Sequence, residues 1–128
     1  MRNLARTGLV AMLMTGTAAQ AAEVSFAAEI VPLLNARCVS CHLTGDELGG
    51  LALHPKAAYG NLVGVPSRQS PQKRVEPGHP EASYLYLKLT DAHLEAGGEG
   101  EPMPLGAWPL EEDQLERVRR WIAEGAKP

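Results

Sequence analysis

Apolar residues recur three to four positions apart at Phe26, Ile30, Val31 and Leu34, directly behind Ser25. This spacing predicts a helix capped by the Ser25 hydroxyl and running toward Cys38. Pro32 interrupts the run, so either the helix restarts with Pro32 in its first turn or it kinks there. The clearest stripe lies near the other end of the chain. Leu115, Val118, Trp121 and Ile122 mark one face of a helix expected from about Glu111 to Glu124. Glu111, Glu112 and Asp113 stand at its positive end, and Arg117, Arg119 and Arg120 lie toward its negative end. Gly125 is a stop signal.

Between these two helices the pattern is punctuated by prolines and glycines. His54-Pro55 and His79-Pro80 share one arrangement, a polar residue followed by proline at a first helical position. Short helices are expected from about Pro55 to Leu62 and from Pro80 to Leu89. Thr44 to Gly50, Gly64 to Gly78 and Ala96 to Pro109 read as loops, the second of them an irregular surface segment. Neither an internal repeat nor a period-two strand pattern is visible, and the expected fold class is all-α.

A chain of 128 residues suits one domain. Its first 21 residues read as an export signal: Arg2 and Arg6, the apolar Leu9 to Met14, then the small-residue cleavage site Ala19-Gln20-Ala21. The alternative, an uncleaved anchor, needs about 20 apolar residues, and the run falls well short. The mature domain is expected to span residues 22–128, with no membrane span after cleavage. Losing Arg2 and Arg6 leaves ten bases against fifteen acids, a net charge of −5. That balance disfavours nucleic acid as a partner. Charge is also segregated. Leu48 to Val75 carries Lys56, Arg68, Lys73 and Arg74 with no acid, whereas Leu89 to Glu116 carries eight acids and no base. Either this orients the domain on a redox partner or the charges are ordinary solvated loops. Aromatics make up only 5% of the chain, so its own core is thin and a bound apolar body would complete it.

Cys38-Val39-Ser40-Cys41-His42 is the C-x-x-C-H pattern of covalent haem attachment. On a helix, residues i, i+3 and i+4 share a face, so two thiols and an imidazole address one flat group. Cys38 and Cys41 would form thioethers to the porphyrin vinyls, and His42 would bind the iron. Three rivals exist. A redox dithiol normally follows a strand in a βαβ unit, which this sequence lacks. A structural zinc site wants a fourth ligand, and there is no second cysteine pair. A plain disulfide is compatible with export.

The second axial ligand of such an iron is usually Met or His. With residues 1–21 removed, Met103 is the one methionine left, and it stands between Pro102 and Pro104 in a stiffened loop. The other reading of Met103 is a core gap-filler. His54 and His79 precede prolines and read as capping or surface residues. His93 sits among Asp91, Glu95 and glycines in what reads as a solvated loop. Arg74, with Arg68 and Lys73, is a candidate partner for haem propionates, because guanidinium binds carboxylate as a fork. Tyr84, Tyr86 and Trp108 would either hydrogen-bond a propionate or pack against the ring.

With these residues in view, the chain resembles small single-haem c-type cytochromes exported by bacteria, in particular the planctomycete-type cytochrome c domain. The resemblance is carried by Ile30-Val31-Pro32-Leu33-Leu34, Arg37 to His42, Gly49-Gly50-Leu51, Val75-Glu76-Pro77-Gly78-His79-Pro80, Met103-Pro104 and Trp121-Ile122. It departs at His79, where the family form has Asp, and at His54. It implies a cytochrome c fold with N- and C-terminal helices packed around one covalently bound haem c, and His42 and Met103 as axial ligands. The function then expected is soluble periplasmic electron transfer between redox partner proteins, not enzymatic catalysis. Alternatives are an electron-accepting subunit of a periplasmic dehydrogenase or oxidase, an open-site haem sensor or peroxidase, and a thiol-disulfide oxidoreductase.

Overall fold

The computed structural model describes residues 22–128, so the expected export signal lies outside the described residues. Helices take up 38% of that length, and no helix there is long and apolar enough to cross a membrane. Ser25 caps the first helical segment as expected: its Oγ accepts the Ala28 N–H at 3.2 Å. Phe26–Ile30 forms a widened π-type turn that leads directly into α1, Val31–Arg37. Pro32 explains the widening. Its ring crowds the carbonyl four residues back and it offers no N–H. The turn before it relaxes, and the N–H groups of Ile30 and Val31 reach five residues back to Ser25 and Phe26. Pro32 then occupies the first turn of α1.

Two expected helices are shorter in the structure. After Pro55 the chain makes a turn before α2, Ala58–Leu62. The stretch expected as one helix from Pro80 to Leu89 is a 3₁₀ turn, Pro80–Ala82, followed by α3, Tyr84–Leu89. Ser83 separates them in an extended conformation and is fully buried. Its hydroxyl is the reason for the break. It donates to His79 O at 2.8 Å and accepts the Glu76 N–H at 2.9 Å, tying the preceding loop to the helix start. The first N–H groups of α3, which have no partner within the helix, are met from outside: Tyr84 and Leu85 donate to Lys73 O and Arg74 O, both at 2.9 Å. The segment expected as surface loop therefore reaches the core, and Val75 is fully buried. Among the described residues its β-type pairings are isolated bridges, Val63 with Val75 and Pro66 and Ser83 with Lys73.

The last helix, α4, spans Glu112–Ala123, with Glu111 and Gln114 forming a reciprocal capping box. Val118, Trp121 and Ile122 are buried on its expected face, and Gly125 ends it at a φ of 103°. This face packs on the Phe26–Ile30 turn and on α3. Phe26 lies between Trp121 and Tyr59, with ring centroids 5.0 and 5.2 Å apart. The chain ends are sewn together beside this cluster. Glu124 accepts the Val24 N–H at 2.7 Å, Arg120 donates to Ala22 O at 2.8 Å, and Trp121 Nε1 donates to Lys127 O at 2.8 Å.

Replacing Ser83 by Ala leaves the Glu76 N–H without its partner in a buried corner. The substitution is expected to lower stability by about 2 kcal/mol, read as a shifted urea midpoint at constant slope. An unchanged midpoint would show that the break at Ser83 has another cause.

Candidate functional site

Helix α1 ends where the C-x-x-C-H motif begins. The Cys38 N–H still bonds to Leu34 O at 2.8 Å, but Cys38 itself has left helical geometry, at φ −129° and ψ −36°. The motif is therefore presented by a turn, a correction to the expected helical face. Cys41 and His42 both donate their N–H groups to Cys38 O, at 3.1 and 3.0 Å. That single carbonyl keeps residues i, i+3 and i+4 together much as a helix would. The Leu53 N–H in turn donates to His42 O at 3.0 Å and fixes the end of the motif against the next segment.

Cys38, Cys41 and His42 line a cavity of about 640 Å³, and Met103 and Arg74 line the same cavity. Leu51, Leu53, Leu62, Leu85 and Leu89 supply much of its wall. The volume falls within the roughly 300–1,000 Å³ of cofactor sites, and so does the chemistry, an apolar wall with a few polar groups. His42 Nδ1 is buried with no hydrogen-bond partner. Burial pushes the imidazole below its ordinary pKa, against an opposing pull from Glu47, so the neutral, metal-ligating form is favoured. An imidazole with a buried, partnerless Nδ1 and two free thiols lining one apolar cavity fit a flat group held by two thioethers and a nitrogen ligand.

The same atoms bear on the rivals. Burial pushes the Cys38 thiol up to about 11, partly offset by Arg37, whereas reactive C-x-x-C dithiols depend on a lowered value. Among the described residues, no three His, Cys, Asp or Glu side chains form a group able to hold a metal ion such as zinc.

The other candidates sort clearly. The Arg74 guanidinium is buried, and burial, with Arg68 nearby, lowers its pKa. Its two terminal nitrogens donate to Asn61 O and Oδ1, Gly49 O and Gly50 O at 2.8–3.2 Å. Arg74 thus holds the Leu48–Gly50 turn at the cavity edge, and only its Nε–H remains for a propionate. Arg68 packs over Gly50, where an added Cβ would fall 2.3 Å from the guanidinium. Lys73 pairs with Glu76 at 2.7 Å. Tyr84 lines the cavity, whereas Tyr86 and Trp108 do not, and Trp108 is 87% exposed.

None of the three remaining histidines lines the cavity. His54 Nδ1 accepts the Lys56 N–H at 3.3 Å in the turn ahead of α2, whose N-cap is Ala57, so His54 does not cap the helix; exposed His79 faces Glu81 at 3.4 Å. His93 overturns its expectation. It is fully buried, because its Nε2 reaches Gly100 O at 2.7 Å and pulls the ring under the following loop. Lys88 and Glu47 also line the cavity and were not singled out by sequence reasoning. Lys88 carried a usable signal: it is the only charge in Tyr84–Leu89 and stands four residues from Tyr84, on the same face.

Glu47 closes the loop after the motif. Its carboxylate accepts the N–H groups of Thr44 and Gly45, at 3.2 and 2.8 Å, and the Thr44 hydroxyl at 3.1 Å. Backbone N–H groups, its own first and then those of Gly45 and Thr44, hold its pKa at about 2, below the ordinary 4.5. A depressed carboxylate stabilises the fold above its ordinary pKa and loses that contribution as pH falls toward the folded value. The Thr44–Glu47 loop is expected to loosen between pH 4.5 and about 2. Glu47→Gln should flatten that part of the stability–pH profile. Identical profiles for the two proteins would contradict the assignment.

No protein-family model, curated protein or solved structure matches this chain.

Proposed function

We propose that the chain is an exported single-haem c-type cytochrome domain that carries electrons between redox partner proteins in the periplasm. One observation carries this reading. The C-x-x-C-H motif and Met103, 61 residues beyond His42 in the chain and the only methionine after the expected cleavage site, line one apolar cavity. When bound, haem supplies a one-electron iron couple.

The chain's own residues do the rest. Cys38 and Cys41 anchor the group covalently, so the carrier cannot lose it on cycling. His42, kept neutral by burial, offers a nitrogen lone pair on one side. Met103 offers a soft thioether, which favours the ferrous state and raises the potential. The apolar leucine wall would penalise the extra positive charge of a ferric state, a second push in the same direction. Arg74 ties the rim turn, through Gly49 O and Gly50 O, to Asn61 of α2, and its remaining Nε–H is the donor left for a propionate.

A dependence on Met103 tests the reading. In the mature, haem-loaded protein, Met103→Ala is expected to abolish the weak far-red band of a thioether-ligated ferric haem. The midpoint potential should fall by on the order of 0.1 V, within the ~0.8 V that axial ligands span. An unchanged spectrum and potential would remove Met103 from the iron and favour an open-site or bis-histidine haem.

A further inference from the structure

Three side chains from α3 and the turn behind it converge on the segment leading into Met103. Lys88 Nζ lies 2.6 Å from both Glu99 O and Glu101 O. The Tyr84 hydroxyl donates to Glu99 O at 2.7 Å. His93 Nε2 lies 2.7 Å from Gly100 O, and since a carbonyl only accepts, this nitrogen carries the proton. Three consecutive carbonyls are thereby held by three buried side chains. The Met103 N–H then donates to the backbone carbonyl of Lys88 at 3.0 Å. One residue grips the strap twice, through its ammonium before Met103 and through its carbonyl at Met103.

Fold stability alone accounts poorly for this arrangement. A buried ammonium on carbonyl acceptors carries a desolvation cost that an apolar side chain in the same space would avoid. Burial accordingly lowers the Lys88 pKa, against the charge of Glu101. The strap is also fitted closely to these side chains. A Cβ on Gly98 would fall 2.5 Å from the Tyr84 ring and 2.9 Å from His93 O, so only glycine enters here. Lys88, Tyr84, Gly100, Glu101 and Met103 all line the cavity, so the network sits at the proposed site itself.

We infer that Lys88, with Tyr84 and His93, is a positioning device that holds the Glu99–Met103 strap so that the Met103 thioether stays in the cavity. This rests on the reading of Met103 as an axial ligand. Lys88 and Tyr84 act through the strap and not on the iron.

The test uses the mature, haem-loaded protein and two variants, Lys88→Met and the milder Tyr84→Phe, which removes one hydroxyl. The rate of carbon monoxide binding to the reduced protein reads how often Met103 leaves the iron. Loss of the strap's hydrogen bonds is expected to raise that rate about tenfold in Lys88→Met and by a smaller factor in Tyr84→Phe. The far-red ferric band should weaken in the same order. If both variants keep the wild-type rate and band while only the urea midpoint falls, the network supports the fold and does not position Met103, and the inference is overturned. Should Lys88→Met fail to fold, Tyr84→Phe decides alone by the same criteria. Met103→Ala separates the two levels. If it too keeps the wild-type band and rate, the ligand assignment is wrong and the positioning role falls with it.

Discussion

Phe26 sits between Trp121 and Tyr59, and the position of the rest of the molecule follows from that contact. Three of only six aromatic residues meet there, in a chain with few large side chains to spend. Their packing joins the Phe26–Ile30 turn to α4 and holds it beside the sewn chain ends. Because α1 continues directly from that turn, its C-terminal end, and with it Cys38, is aimed from the aromatic cluster. The same hydrophobic core runs on into the cavity, since Leu53, Leu62 and Leu89 belong to both, and loops form much of the rim.

Loops cannot hold a cavity open by hydrophobic packing alone, and the structure solves this with buried cations. Arg74 grips the Leu48–Gly50 turn through carbonyls, and Lys88 grips Glu99–Glu101 in the same way. In each case a positive side chain satisfies several backbone acceptors at an apolar wall. The basic and acidic stretches of the sequence are partly explained by this. Arg74, from the basic stretch, is structural, and the acids flanking the strap use their carbonyls, not their carboxylates, to meet Lys88. The carboxylate of Glu47 does for the loop after the motif what the cations do elsewhere, satisfying N–H groups instead of carbonyls.

What was legible in the sequence was what short-range chemistry decides. The Ser25 cap, a disturbance of the first helix at Pro32, the α4 stripe with its charged ends and the Gly125 stop all depend on residues within one or two turns. The meeting of Cys38, Cys41, His42 and Met103 at one cavity was legible for another reason: a spaced motif and a single remaining methionine leave little choice. What failed depended on distant backbone. Ser83 breaks a good helical pattern because its hydroxyl has acceptors and donors around Glu76 and His79. His93 looked solvated because nothing in Asp91 to Glu95 announces a carbonyl waiting at Gly100. The guanidinium fork expected of Arg74 toward a propionate is largely taken up by acceptors 13 to 25 residues away, which leave its Nε–H. Side-chain type told where polar groups were, and not which carbonyls they would find.

The central claim is that Cys38 and Cys41 hold haem covalently, with His42 and Met103 binding its iron. The most direct test is an optical spectrum of the mature protein, exported from a host with cytochrome c maturation machinery, recorded oxidised and then reduced. The account predicts a c-type reduced spectrum that survives denaturation, together with the weak far-red band of thioether ligation in the oxidised form. A mature, folded protein with no covalently bound haem would contradict it.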